Sequence, residues 1–419
     1  MRTIAFMLSL IFIFTIPWEG VIQLPGLGTA ARVLGLAVAA YWVATVVLTG
    51  QLRKPGPFQI AVYLFAVWNA ISIFWSANPD ETIGQVMTWA QLLILVFILW
   101  DLYTTRTALL AGLQAYVLGA YVAFGSAVAN YFSGTAFYTH YDRFSSGDTN
   151  PDGFGFILVL GIPVAWYLAA SMSATPMGRL LKLANYAYIP AGLLGIALSG
   201  TRTSLIAAIP AMAFGLASLT RLRLWARVAI FLLFAVAVLI LLPYVQTLRS
   251  FQRFSTVGTE LTEGNLNERT VLWRAGLASF EKHPFLGVGS NMYRSVNSLG
   301  KVAHNSFISV LVEVGLIGLA LFGMILTIAV IQALGQPKWD SSFWLSLLAV
   351  WAIGAFTLTW EDRKSTWLFL SLIVASAALT SHRDEAVPLV QRDKSAGQFV
   401  RQPQWNKPPQ REKMSYPVD

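Results

Sequence analysis

From His304 to Leu334 the chain reads HNSFISVLVEVGLIGLALFGMILTIAVIQAL. Glu313 is its one acidic residue, and from Val310 to Val330 only Glu313 and Thr327 are neither apolar nor glycine. A helix needs about 20 predominantly apolar residues to cross a bilayer core. This run is a membrane span, and it is one of twelve such runs. The others cover roughly 3–18, 32–50, 58–75, 84–100, 108–132, 152–171, 185–200, 204–220, 228–245, 342–360 and 367–381. Composition agrees: of 419 residues, 56% are hydrophobic and 12% charged, too little charge to solvate a globule of this size. A soluble enzyme, a disordered chain and a disulfide-stapled secreted domain are excluded. With no cysteine, thiolate metal sites and cysteine nucleophiles are excluded too. The expected fold is an all-α integral membrane protein of about twelve transmembrane helices.

The first run carries Arg2 and an apolar core but no A-x-A-like cleavage site, so it reads as a true helix rather than a signal peptide. With the N-terminus cytoplasmic, the inside loops hold ten Lys/Arg and the short outside connections five, among them Arg32, Arg143, Arg202, Arg363 and Lys364. Cytoplasmic loops favour positive charge. Twelve spans then return the C-terminus to the cytoplasm. The expected organisation is nine spans over 1–245, a large extracytoplasmic loop over 246–303, three spans over 304–381, and a disordered cytoplasmic tail over 382–419. The loop breaks the charge rule, with seven Lys/Arg against four Glu, and that net +3 needs a reason. Within it, a short amphipathic helix is predicted from about Glu268 to Glu281. Asn267 is its N-cap, Pro284 stops it at the residue before, and Trp273, Leu277 and Phe280 form its apolar stripe. No internal repeat of the kind common in transporters is visible.

Three places carry candidate chemistry. In Ser199–Ser204, SGTRTS, glycine breaks the helix. Thr203 or Ser204 then caps the next helix while Arg202 snorkels; alternatively Arg202 and the free N–H groups of that helix start face an anion. On the loop helix, Arg269 and Arg274 lie about 140° apart around the axis, so they cannot converge on one point. Arg269, at the N-terminal end, is the better anion ligand, and Arg274 equally fits a solvated face. At the start of the tenth span, Asn305 or Ser306 is a helix cap. His304 beside it is either an incidental neighbour or a general base next to an arginine-rich loop. Glu313, nine residues on, pairs with another span or orients a polar group. There is no D-x-D, no phosphate loop and no H-E-x-x-H. His140, His283, His304 and His382 do not cluster with acids at metal-ligand spacing. The residues point to chemistry without a metal or cofactor and with guanidinium groups holding a pyrophosphate.

Taken together, SGTRTS, ERTVLWRAGLASFEKHPFLGVGSN and HNSFISVLVEVGLIG, in this order around a long loop, resemble the O-antigen ligase / polysaccharide polymerase superfamily of bacterial membrane proteins. FWSANPDETI at 74–83 is similar to a segment of its exopolysaccharide-polymerase branch. The resemblance implies a GT-C-like glycosyltransferase of the bacterial inner membrane whose active site faces the periplasm or cell exterior. It implies an undecaprenyl-diphosphate-linked glycan donor and a glycan or lipid A–core acceptor, with membrane lipid and other polysaccharide assembly proteins as further partners and no nucleic acid. His304 matches the essential histidine that activates the acceptor. Arg202 and Arg269 match the arginines that hold the donor diphosphate; Arg274 lies in the same motif. Asn305 and Glu313 would support them. One competing reading is a transporter or flippase of lipid-linked glycans, which predicts charge running through mid-membrane instead of gathering at one face; another is a non-catalytic scaffold within a polysaccharide assembly complex.

Overall fold

The computed structural model describes residues 1–26, 28–138, 142–173, 175–220, 223–248, 250 and 269–385. Thirteen α-helices lie among them: α1 (Arg2–Thr15), α2 (Ala30–Thr49), α3 (Pro57–Ile71), α4 (Pro79–Leu102), α5 (Arg106–Phe132), α6 (Pro151–Ser171), α7 (Pro176–Ser199), α8 (Arg202–Leu219), α9 (Leu224–Thr247), α10 (Arg269–Phe280), α11 (Ser306–Leu334), α12 (Lys338–Ala355) and α13 (Lys364–Glu385). Among the described residues one strand pair, Gln23–Leu24 with Gly28–Thr29, closes the α1–α2 connection. Each predicted span falls on one helix. Eight of the described helices are long and apolar enough to cross a membrane, and α1 and α13 are shorter apolar helices. The chain is an all-α integral membrane protein.

The bundle is organised around α6, which has 89% of its apolar window buried, against 22% for the peripheral α2. Helices α5, α7, α8 and α12 pack around α6. Large rings fill the interior, with Tyr167 stacked on Phe343 at 4.0 Å and Phe65 on Phe322 at 5.6 Å. Such pairs add to the burial of apolar area.

Charge segregates to the two ends of the helices. At one end Asp101 accepts from Trp42 Nε1 at 3.0 Å and from the Arg53 N–H at 2.9 Å, and it pairs with Arg2 at 2.9 Å. Arg106 pairs with Asp340 there at 3.1 Å. At the opposite end lie Arg143–Asp152 and Lys364–Glu19. Buried carboxylates need such partners, because desolvating an unpaired charge is costly.

Several boundaries differ from the sequence reading. Helix α7 starts at Pro176 rather than 185, because its basic first turns (PMGRLLK) carry the helix past the apolar run. The tenth span starts at Ser306, which leaves His304 outside the helix, and α13 continues through 382–385 into the expected tail. Thr201, not Thr203 or Ser204, is the N-cap position of α8. On α10 the buried positions are Leu272 and Gly276, while Leu277 is 43% exposed, so the predicted Trp273–Leu277–Phe280 stripe is turned. The cause is Tyr293, whose hydroxyl donates to Leu272 O at 2.8 Å and whose ring closes against Gly276. The predicted cap Asn267, the helix start at Glu268 and the tail beyond 385 lie outside the described residues.

Candidate active site

The motifs of the sequence become one interlocked structure. In α11 the helix breaks at Gly315, with φ 69° and ψ −169°. The turn before α11 pairs with this break: Val288 N donates to Val312 O at 3.0 Å, Gly289 N to Glu313 O at 2.8 Å, and Leu316 N to Pro284 O at 2.9 Å. A Cβ on Gly315 would sit 2.1 Å from Phe285 O, so this close backbone approach, as well as the positive φ, requires glycine. The Glu313 carboxylate accepts from the backbone N–H of Asn291 at 2.8 Å and of Tyr293 at 3.3 Å. Glu313 thus orients the 291–293 turn, one of the two roles left open for it. The FWSANPDETI segment docks beneath the same turn, where Trp75 Nε1 donates to Leu286 O at 3.1 Å and Thr82 Oγ1 to Ser290 O at 2.9 Å.

His304 is positioned from three sides. Trp273 Nε1 of α10 donates to the preceding Ala303 O at 2.8 Å. The His304 N–H donates to Thr359 Oγ1 at 3.1 Å. Asn305 caps α11, its Oδ1 accepting from Phe307 N at 2.9 Å and Ile308 N at 3.0 Å. Ser306 Oγ donates to Leu358 O at 3.1 Å. The polar neighbours of His304 are therefore structural clamps, and among the described residues none hydrogen-bonds the imidazole. His304 has φ 50°, a left-handed conformation that a non-glycine residue adopts at a cost. Such backbone settings concentrate at functional sites. Burial, and then the charge of Arg269, hold the imidazole pKa below its ordinary 6.5; Asp152 opposes them, and Lys301 and Arg294 add to them. At neutral pH the ring is uncharged and able to accept a proton.

The SGTRTS turn is built on an ion pair between a buried Arg143, which the sequence analysis reads only as loop charge, and a half-buried Asp152. Arg143, 6% exposed, donates through Nη2 to Asp152 Oδ1 at 2.6 Å and through Nε to Ser199 O at 2.8 Å. Thr201 Oγ1 donates to Pro151 O at 2.9 Å and makes no side-chain cap on α8, whose first residue is Arg202. Gly200 has φ 61°, and a Cβ there would meet Ser250 O at 2.8 Å. Asp152, in the first turn of α6, reaches this turn through Thr201 and also acts on His304, so the turn and the histidine share one electrostatic neighbourhood.

A cavity of about 780 Å³ opens at this end of the bundle. His304, Asp152, Glu313 and Arg294 line it. Among the described residues its wall does not include Arg202, Arg269 or Arg274. The charge of Arg269 nonetheless reaches His304, whereas Arg274 is an exposed residue of α10. Arg294 and Asp152 were missed as site residues. The available signal for Asp152 was an acid in the first turn of a span (NPDG); Arg294 carried no signal beyond being basic in the loop. Across the cavity stand Glu361, Asp362 and Arg363, in the turn between α12 and α13. Burial and the charges of Asp362 and Glu313 push the Glu361 carboxyl pKa upward. Among the described residues, no group of three His, Cys, Asp or Glu is arranged to hold a metal ion.

Fold and site define a polytopic helical membrane protein with a buried, mixed-charge cavity at one end and an imidazole placed on it. Residues 187–323, which contain SGTRTS, α10 and the HNS turn, match the family model Wzy_C, described as O-antigen ligase. An exopolysaccharide production protein, ExoQ, of Rhizobium meliloti (strain 1021) is 27% identical over 324 residues, covering 72% of each chain. The resemblance drawn from the motifs to the O-antigen ligase / polysaccharide polymerase superfamily is borne out.

Proposed function

We propose that this chain is a membrane glycosyltransferase of surface polysaccharide biosynthesis that moves a glycan from undecaprenyl diphosphate to an acceptor hydroxyl without a metal. The observation that carries the reading is His304, an uncharged and hydrogen-bond-free imidazole on a large cavity, within the segment that matches the O-antigen ligase family. His304 removes the acceptor hydroxyl proton, and the oxygen attacks the anomeric carbon. The bond from that carbon to the diphosphate oxygen breaks, and lipid diphosphate leaves. Arg202 and Arg269 bind the diphosphate and neutralise the charge that develops on it; Arg274 is the more distant member of that group. Asn305 and Glu313 hold the histidine turn and its facing loop.

The same reading puts the bundle in the bacterial inner membrane with twelve crossings and both termini cytoplasmic. The 246–303 loop is then extracytoplasmic, and the cavity faces the periplasm or cell exterior. The segregation of charge to the two ends of the helices supports transfer over transport, because a flippase is expected to carry charge along its path. The name of the exopolysaccharide relative and the 74–83 segment favour a polymerase of lipid-linked repeat units over a ligase to lipid A–core.

The test is reconstitution: full-length protein in lipid nanodiscs, given the lipid-linked glycan from a strain lacking it, with chelator present. Longer glycan on the carrier and released undecaprenyl diphosphate are the expected products. Neither product, with or without added lipid A–core, would reject the reading.

A further inference from the structure

Gln85, Thr88 and Gln91 stand three residues apart on α4, and all three line the cavity. Successive steps of three keep them within one sector of about 120°, and they rise together by about 9 Å. Farther along, α4 lines the cavity with Leu92, Ile94, Leu95 and Ile98. The cavity is therefore polar toward the His304 end of the bundle and apolar deeper along the helix. Polar side chains inside a membrane span are costly and usually functional.

These side chains are under-used within the protein. Among the described residues the Gln91 side chain has no hydrogen-bond partner. Gln85 Nε2 reaches Asp362 Oδ2 at 3.4 Å, the limit of a hydrogen bond, and Thr88 Oγ1 reaches Gly84 O of its own helix at 3.3 Å. In the turn lining the same cavity, Glu361 is 5% exposed and its Oε2 is buried with no hydrogen-bond partner. A stripe that only packed helices together would satisfy these groups across the interface.

Amide and hydroxyl groups each donate and accept, and the stripe itself carries no charge. That chemistry suits alcohol hydroxyls rather than an anion. We propose that Gln85, Thr88 and Gln91, with Glu361 facing the same cavity, form a subsite for the hydroxyl groups of a glycan. The proposal rests on the glycosyl-transfer reading and extends it to the part of the cavity that the histidine and arginines leave unassigned. The hydroxyls belong either to the donor glycan or to the acceptor glycan.

The test uses full-length protein in nanodiscs and, as probe, the oligosaccharide freed by mild acid from the lipid-linked pool of a strain lacking the protein. Calorimetric titration is expected to show binding by wild type, weakened about tenfold or more in the Thr88→Val/Gln91→Leu double variant, since two hydrogen bonds are lost. Thr88→Ser retains wild-type binding. If the double variant does not fold, Gln91→Ala and Thr88→Val alone should each weaken binding about three- to tenfold. Transfer kinetics identify the source: a raised KM for the lipid-linked donor assigns the subsite to the donor glycan, and a raised KM for the acceptor assigns it to the acceptor. Equal binding by variant and wild type, or no binding by wild type, overturns the subsite. Wild type that binds the oligosaccharide but transfers nothing would leave the subsite standing and reject the transfer reading instead.

Discussion

His304→Ala is expected to lower transfer by about 10²–10⁴-fold, the usual contribution of a positioned general base, while leaving the protein folded and inserted. The structure separates these two outcomes. The side chains that hold the turn are Asn305, Ser306, Trp273 and Thr359, and the imidazole makes none of those bonds. Alanine keeps the Cβ and with it the left-handed backbone penalty at 304, whereas His304→Gly removes that penalty and should be equally inactive. A pH profile provides the second readout. Burial and Arg269 lower the His304 pKa, so the base is lost at a lower pH than for an ordinary histidine. The acid limb of kcat/KM should therefore lie below 6.5, and Arg269→Gln should move it upward in whatever activity remains. An acid limb that did not respond to Arg269 would remove the histidine from the titrating role.

Arg269→Lys is the second large effect, expected at about 10²-fold in kcat/KM, as is Arg202→Lys. Lysine keeps the charge but not the planar pair of donors that meets two phosphate oxygens at once. Loss of one such donor at a developing oxyanion costs roughly two to three powers of ten. Arg274→Lys is expected to fall within about threefold of wild type, as for an exposed site away from the chemistry. The comparison is made with purified variants in nanodiscs at saturating acceptor, following release of lipid diphosphate. Equal loss at 269 and 274 would mean that both arginines of α10, rather than the N-terminal one alone, meet the donor.

The helices were readable because each apolar run carries its own length and composition, and each predicted span coincides with a helix. Their ends were less so. Lys and Arg in the first turns of α7 masked its start, and α13 continues past the polar residue that ends its apolar run. The Asn305 cap was visible because capping depends on local backbone geometry. The cap position of α8 was not, because Thr201 directs its hydroxyl to Pro151, fifty residues away in sequence. The turned face of α10 has a similar origin: Tyr293 selects Leu272 and Gly276, and helical periodicity carries no information about a partner outside the helix. Arg143 and Arg294 show the limit of counting charges. Both add the same unit to a loop census, yet one is buried and paired with Asp152 and the other stands on the cavity wall. Glu313 falls between these cases. Its place in a span marked it as important, but the backbone N–H groups it holds come from a turn twenty residues upstream.

The central claim, that His304 catalyses glycan transfer from a lipid diphosphate, meets its most direct test in the lipid-linked glycan pool of cells carrying His304→Ala in place of the wild-type chain. The pool is sized by gel beside wild type. Single repeat units stranded on the carrier, from a variant present in the membrane at wild-type level, are the result expected of a polymerase; long chains stranded on the carrier and absent from the surface would show a ligase with the same catalytic base. A pool and a surface glycan both indistinguishable from wild type would contradict the claim.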